Sequence, residues 1–167
     1  MQKKTRPIQS GRRLLGLLLP FTVLLAVSVP AASAGPPIAA SGSYQQVSFV
    51  PSNFRTADGV TFFDFVEHDA LTGTLSGTSV IEGSCATRAS GETICQALET
   101  FTGTVAGVGG AGDTVLFRDV VMIDPTGAVE GSFAVVDGTG DLANLHGHGT
   151  FQGASTGIYT GLLVFAS

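Results

Sequence analysis

Glu99 is the carboxyl group whose surroundings in the sequence most favour chemistry. It lies in a β-forming stretch, residues 93–105, where Cys95 and Phe101 fall on the same alternate positions, and alternate residues of a strand share one face. If that face turns inward, burial raises the pKa of Glu99, which suits a catalytic acid or base acting on an apolar substrate. If the face that carries Leu98 turns inward instead, Glu99 is a surface charge.

Arg118 and Asp119 interrupt an apolar strand, residues 115–123. Because neighbours in a strand point to opposite faces, one of the two is expected to face the interior. An inward Arg118 would bind the carboxylate of a ligand, and the alternative is an ion pair with a neighbouring strand. Aromatic side chains in the predicted strands are the further candidates for contacts with an apolar ligand, or else for core packing: Phe62, Phe101, Phe117 and Phe133.

His146 and His148 stand two residues apart, so both imidazoles lie on one face of a strand and could chelate zinc or copper if a third ligand were near. No cysteine or acidic cluster nearby in the sequence completes such a site, and an inward glycine face would turn both histidines outward. The glycines at Gly138 and Gly140 precede a strand rather than the long helix that dinucleotide binding requires. We therefore predict no metal and no cofactor.

Cys85 and Cys95 are the two cysteines, and the polar residues 88–92 between them indicate a hairpin turn. If the chain turns about Ser90, the two cysteines face each other directly on neighbouring strands, within reach of a disulfide. A redox-active thiol pair is the alternative, but the usual two-residue spacing is absent. The sequence predicts a structural disulfide.

These candidate groups need strands to position them. Runs of β-forming residues separated by turn signals, one of them at 68–70, predict eight strands, at 44–50, 60–67, 71–85, 93–105, 114–123, 128–136, 146–152 and 157–165. No stretch has the periodicity of a long amphipathic helix. Repeated glycines on one face of residues 71–85 permit the coiling that a small barrel needs. We predict an all-β domain, a single eight-stranded antiparallel barrel with one short helical turn, and a β-sandwich is the alternative.

The first 34 residues differ in composition from the rest. They hold five of the eight basic residues and no acid, followed by an apolar run and the small residues Ala32 and Ala34. This pattern predicts a signal peptide over 1–34, a tether over 35–43 and a barrel over 44–167. An uncleaved membrane anchor is the alternative, and Sec and twin-arginine export both stay open. We expect a secreted protein that leaves the membrane after cleavage.

The region after the leader has three arginines, no lysine and all thirteen acidic residues, for a net charge of −10. Such a charge argues against nucleic acid and against anionic lipid surfaces as partners. A small hydrophobic ligand is the partner that the predicted barrel favours. The sequence does not indicate an oligomeric state.

A glycine-rich phrase carries a family resemblance. Residues 138–149 read G-T-G-D-L-A-N-L-H-G-H-G, which resembles the signature G-T-G-x-L-x-x-L-x-G-x-G of a bacterial family of unknown function related to the allene oxide cyclase-like barrels; dirigent proteins have a looser version. Residues 71–78 and 101–107 are similar to earlier strands of that family, so the resemblance spans about residues 42–165. It implies an eight-stranded barrel with an apolar lumen. It implies no reaction, and no functional residue is transferred.

Three classes of function are compatible with these features. The first is a module that binds a small apolar ligand in the barrel lumen. The second is a cyclase or isomerase acting on an apolar substrate, which needs an ionisable group inside the lumen. The third is a non-catalytic structural or interaction protein with a filled lumen. Whether the protein is an enzyme stays open at this point.

Overall fold

A single antiparallel sheet of eight strands forms the domain, as seen in a computed structural model that describes residues 35–166. The strands are β1 (Ile38–Ala57), β2 (Val60–Gly73), β3 (Leu75–Thr87), β4 (Thr93–Val105), β5 (Thr114–Ile123), β6 (Val129–Gly138), β7 (Leu145–Gly153) and β8 (Thr156–Phe165). A 3₁₀ turn, Gly140–Leu142, precedes β7. The predicted all-β barrel is confirmed. The signal peptide predicted for residues 1–34 lies outside the described residues.

Each strand pairs with the next one in the chain, and β1 pairs with β8 to close the barrel. The closing pair runs from Ile38 opposite Leu163 to Gln45 opposite Thr156. The tether predicted for residues 35–43 is therefore wrong from Ile38 onward. The reason is that the small residues there supply the strand that completes the ring. Beyond Gln46, strand β1 pairs with β2 alone.

Up-and-down topology places alternate connections at opposite ends of the barrel. The turns at 58–59, 88–92, 124–128 and 154–155 share one end, which we call the mouth end. The connections at 74, 106–113 and 139–144 share the other, which we call the closed end. The two ends differ in what their inward side chains do.

Apolar side chains fill the closed end. Leu142 from the 3₁₀ turn and Leu145 from the start of β7 are 0% and 1% exposed, as expected for residues that plug one end of a barrel. The other fully or almost fully buried residues packed in this core are Phe101, Val105, Val115, Phe117 and Leu163. This core contributes most of the fold's hydrophobic burial, since fully burying one such side chain stabilises by about 1.5–3 kcal/mol.

Glycines on β6 to β8 make room for aromatic rings inside the barrel. A Cβ added at Gly149 would overlap the ring of Phe133, and one at Gly131 would overlap the ring of Phe151. Each ring thus reaches over a glycine of the neighbouring strand, where there is no side chain. Within the glycine-rich residues 138–149, Gly149 therefore has a packing role, because it leaves the space that the ring of Phe133 occupies.

The disulfide between Cys85 and Cys95 is present, with the two residues directly paired on β3 and β4. The predicted hairpin register is confirmed. Within residues 35–166, no helix has the length and hydropathy needed to cross a membrane.

Candidate functional site: a carboxyl-lined cavity at the mouth end

An open cavity of about 330 Å³ occupies the mouth end of the barrel. Its wall is mainly apolar and rich in aromatic rings: Tyr44, Phe49, Phe63, Phe65, Leu71, Ile81, Phe117, Val121, Ile123, Phe133, Phe151 and Tyr159. Two of the rings stack, with the centroids of Phe49 and Phe65 5.3 Å apart. The disulfide-bonded residues Cys85 and Cys95 belong to the same wall. Such a wall suits an apolar molecule rather than a sugar or a nucleotide phosphate.

Four carboxyl groups line this apolar cavity: Glu67, Asp69, Glu99 and Asp119. The strand alternation places them there. On β2, the inward positions continue from Phe63 and Phe65 through Glu67 and Asp69 to Leu71, so two acids follow two aromatic rings on one face.

The register between strands brings the four acids together. Glu67 and Glu99 both lie opposite Ile81, one from β2 and the other from β4. Asp119 on β5 lies opposite Ala97, which makes it the diagonal neighbour of Glu99 on the adjacent strand. Diagonal side chains on one face are about 7–8 Å apart at Cα, within reach of long side chains.

Two of the carboxyls have donors within the protein. Gln46 Nε2 donates to Glu67 Oε1 at 2.8 Å, and the buried hydroxyl of Ser79 donates to Glu99 Oε1. The other two are less well satisfied. Asp69 and Asp119 are only 7% and 3% exposed, yet Oδ1 of each accepts no hydrogen bond from the described residues. Buried polar atoms without partners are rare in folded proteins, because each costs about 1–3 kcal/mol.

The environment favours the protonated forms of these acids. Burial, followed by the charge of Glu99, raises the pKa of Asp119 to about 9. Burial, followed by the charge of Glu67, raises the pKa of Asp69 to about 7. Burial also raises the pKa of Glu99, and hydrogen bonds from Ser79 and Asp119 oppose that rise. At neutral pH the cavity therefore holds protons that isolated carboxyl groups would have lost.

Three of the residues predicted for catalysis or ligand contact line the cavity: Glu99, Phe117 and Phe133. Glu99 lies opposite Ile81, as its hairpin register predicts. The edge-to-face pair of Phe117 and Phe133, with centroids 5.5 Å apart, forms part of the floor. The roles predicted for these residues, catalysis for Glu99 and ligand contact for the two rings, stay predictions.

Phe101 does not line the cavity. It is fully buried in the closed-end core, where its ring centroid lies 6.5 Å from that of Phe117. Its contact with a ligand would pass through Phe117, so the structure places Phe101 as a support for the cavity floor.

Phe62 and Arg118 lie on the outside, and their predicted places in the lumen are wrong. On β2 the inward alternate positions belong to Phe63 and Phe65, which leaves Phe62 outside, where the Arg55 guanidinium lies 5.2 Å from its ring centroid. On β5 the inward position belongs to Asp119, so Arg118 is exposed. Its cross-strand partners are Leu98 and Ala134, which offer no charge for the alternative ion pair.

Glu67 and Asp69 are functional candidates that the sequence patterns did not reveal. Residues 68–70 resemble a turn in composition, and that predicted turn is wrong because β2 runs through it to Gly73. The available signal was the unbroken alternation from Phe63 to Leu71, which places both acids on the aromatic face.

The histidines take no part in the cavity. His146 and His148 are exposed on the outer face of β7, as the glycine alternation predicts. Among residues 35–166, no group of three histidine, cysteine or acidic side chains is arranged to hold a metal ion.

The fold and cavity define a small antiparallel β-barrel with a half-open, acid-lined lumen. Residues 40–161 match the model of a family described as "Protein of unknown function (DUF3224)". This match covers well over half of the chain, which therefore belongs to the DUF3224 family. The resemblance to a bacterial family of unknown function is confirmed at that level.

A solved structure is similar to this barrel. The crystal structure of a protein of unknown function from the DUF3224 family of Shewanella oneidensis MR-1 matches with a TM-score of 0.65 and 20% sequence identity. The match covers 78% of this chain and 98% of that chain. At this identity the likeness shows the fold. A search of the curated proteins finds no significant match.

Proposed function

We propose that this protein binds a small, mostly apolar molecule in the lumen of its barrel. The observation that carries the proposal is the cavity of about 330 Å³, walled by aromatic and aliphatic side chains and open at one end. Binding sites for small molecules are typically concave, mostly apolar and about 300–1,000 Å³ in volume. The cavity is at the lower end of that range, so the ligand is small.

Packing below the cavity supports a preformed site. Phe117 and Phe133 rest on the closed-end core, and Phe101 beneath them is fully buried. Tyr159 also stabilises this region. Its hydroxyl accepts a hydrogen bond from the Leu75 N–H at 2.8 Å and donates one to the Thr72 carbonyl. A rigid floor reduces the ordering that a ligand must otherwise impose on binding.

Export is the second part of the proposal. The leader pattern over residues 1–34 and the disulfide between Cys85 and Cys95 both favour an oxidising compartment. Intact-mass measurement of the protein purified from its own host tests this. We expect a chain that starts at Gly35 and weighs two hydrogens less than its reduced form. A chain retaining its first 34 residues would contradict the proposal.

Ligand binding is tested with the neutral apolar dye N-phenylnaphthylamine, whose fluorescence rises in apolar surroundings. We expect the purified protein to bind the dye. Val121→Trp places a large side chain in the cavity and is expected to weaken binding about tenfold or more. Val120→Trp is the matched control, because Val120 is the next residue on β5 and is exposed on the outer face.

Ile81→Trp, at another position of the cavity wall on β3, is a second filling variant in case Val121→Trp does not fold. Circular dichroism reports the fold of each variant. Equal dye affinity in the filled and control variants would overturn the proposed site. A lack of dye binding by the unmodified protein would overturn the function and favour a structural or interaction role.

A cyclase or isomerase related to the allene oxide cyclase-like barrels is a second candidate. The observation that favours it is the group of Ser79, Glu99 and Asp119, which places acids with raised pKa values beside an apolar cavity. An isomerisation that removes a proton from one carbon and returns it at another needs no co-reactant. Conversion of an apolar substrate that Glu99→Gln abolishes, and the outer-face control Glu82→Gln retains, would support this candidate.

A further inference from the structure

Among the residues that the structure describes, the acidic side chains of the lumen have no basic side chain beside them. Four carboxyl groups face it, together with the phenols of Tyr44 and Tyr159, and these are the titratable groups that line it from any strand in the described part of the chain. The arginines lie elsewhere, with Arg55 and Arg118 exposed on the outside and Arg88 paired with Glu92 at 2.8 Å in the β3–β4 turn. No positive side chain among residues 35–166 therefore balances these acids in the cavity.

Two buried carboxyl oxygens without hydrogen-bond partners in the described structure indicate that the ligand carries hydrogen-bond donors. Oδ1 of Asp69 and Oδ1 of Asp119 accept no hydrogen bond from residues 35–166, although both side chains are more than nine-tenths buried and line the cavity. Glu67 and Glu99, in contrast, accept from Gln46 and Ser79. The unsatisfied acceptors lie on β2 and β5, so they face the same cavity from two separate parts of its wall.

We infer that the ligand carries a protonated amine on an apolar body, with the ammonium group held by Asp69 and Asp119. This inference rests on the proposed binding function and names the chemical class of its ligand. An ammonium group offers several N–H donors, no acceptor and one positive charge, which is the complement of a pair of carboxyls with unused oxygens. A neutral alcohol offers one donor and does not balance the charge of an ionised carboxylate in the cavity.

Aromatic rings around the acids fit the same ligand. Phe117 and Phe133 lie on the positions that pair across from Glu99 and Asp119, and the stacked pair of Phe49 and Phe65 lines the cavity on the mouth side. Ring faces attract cations within about 6 Å of their centroids. The same rings accommodate an apolar body.

The protonation state of the acids makes binding depend on pH. The pKa of Asp69 is raised to about 7 and that of Asp119 to about 9, so one carboxylic acid gives its proton to solvent when an ammonium ion binds. The ammonium ion keeps its own protons and forms a salt bridge to the new carboxylate. Affinity then rises with pH between pH 5 and 8, by up to about tenfold per unit for each proton released.

Three probes with the same alkyl chain test the inference: octylammonium, octanol and octanoate, each measured by displacement of the dye at pH 8. We expect octylammonium to bind about tenfold more tightly than octanol, and octanoate to bind most weakly. Asp119→Asn and Asp69→Asn are each expected to bring the ratio of octylammonium to octanol affinity close to one. Asp64→Asn, on the outer face of β2, is expected to keep the ratio of the unmodified protein.

The outcomes separate the two proposals. Octanol affinity equal to or above octylammonium affinity would overturn the ammonium site and leave the binding function in place. A protein that binds the dye but releases it to none of the three probes would also overturn the ammonium site. Failure to bind the dye at all would overturn the binding function itself. A ratio that stays high in both Asp119→Asn and Asp69→Asn would show that other groups hold the ammonium.

Discussion

The two ends of this barrel share one pattern of strand alternation, but their inward side chains differ: they are apolar at the closed end and include carboxyls at the mouth end. At the closed end, the inward positions of β4, β5 and β8 carry Phe101, Val115 and Leu163, all fully buried. On β4 and β5, a few residues nearer the mouth end, the inward positions carry Glu99 and Asp119. Apolar packing at one end stabilises the fold, and that stability permits the other end to hold buried carboxyls that cost free energy.

The largest expected difference between the ends is in packing. Phe101→Ala removes a fully buried ring from the closed end, and we expect a loss of about 3–5 kcal/mol in the free energy of unfolding. Phe63→Ala removes a partly buried ring at the mouth, with an expected loss of ~1–2 kcal/mol. Urea unfolding measures both, and equal losses would remove the distinction between a packed end and an open end.

The disulfide is the main covalent support of the mouth end. It closes a loop with a sequence separation of 10 residues, for which chain entropy predicts a stabilisation of about 2–3 kcal/mol. The double variant Cys85→Ser with Cys95→Ser is expected to lose that amount in urea unfolding. The unmodified protein in the presence of a reductant should behave in the same way. A double variant as stable as the oxidised protein would show that the β3–β4 hairpin does not depend on the disulfide for its stability.

Tyr159 marks the boundary between the two ends. Its hydroxyl is the partner of the buried Leu75 N–H at 2.8 Å, so Tyr159→Phe leaves that donor unsatisfied. We expect a loss of about 1–3 kcal/mol in the free energy of unfolding. Val164→Ala, on the outer face of the same strand, is a control for which a smaller loss is expected. An unchanged stability in Tyr159→Phe would mean that Leu75 finds another acceptor.

The carboxyls at the mouth end predict that stability falls as pH rises. An unfolded aspartate ionises near pH 4, whereas Asp119 in the folded state ionises near pH 9. Between these values the folded state holds a proton that the unfolded state has lost, so raising the pH favours unfolding, with a slope approaching ~1.4 kcal/mol per pH unit. Urea unfolding at pH 5 and pH 8 measures the slope. Asp119→Asn should flatten it, Asp64→Asn should not, and a stability that increases over this range would contradict the account.

Most of the fold is predictable from the sequence, because glycines, turn residues and the alternation of inward and outward side chains are local signals. The disulfide register followed from the spacing of Cys85 and Cys95 about one turn. The first strand was missed at its start, since the pairing of Ile38 with Leu163 joins the two ends of the domain and has no local signature.

The candidate site is only partly predictable from the sequence. Glu99 was found because its hairpin register fixed its neighbours. Asp69 was not found, because a polar cluster within a strand has the composition of a turn. The choice between Arg118 and Asp119 depends on which face closes around the lumen, and that is a property of the whole ring rather than of β5.

A crystal structure of the protein with octylammonium bound is the most direct test of the account. We expect the alkyl chain among the aromatic rings of the mouth-end cavity and the nitrogen within hydrogen-bond distance of Asp69 Oδ1 or Asp119 Oδ1. An alkyl chain on the outer face of the barrel, or an ammonium group turned to solvent and away from both carboxyls, would contradict it.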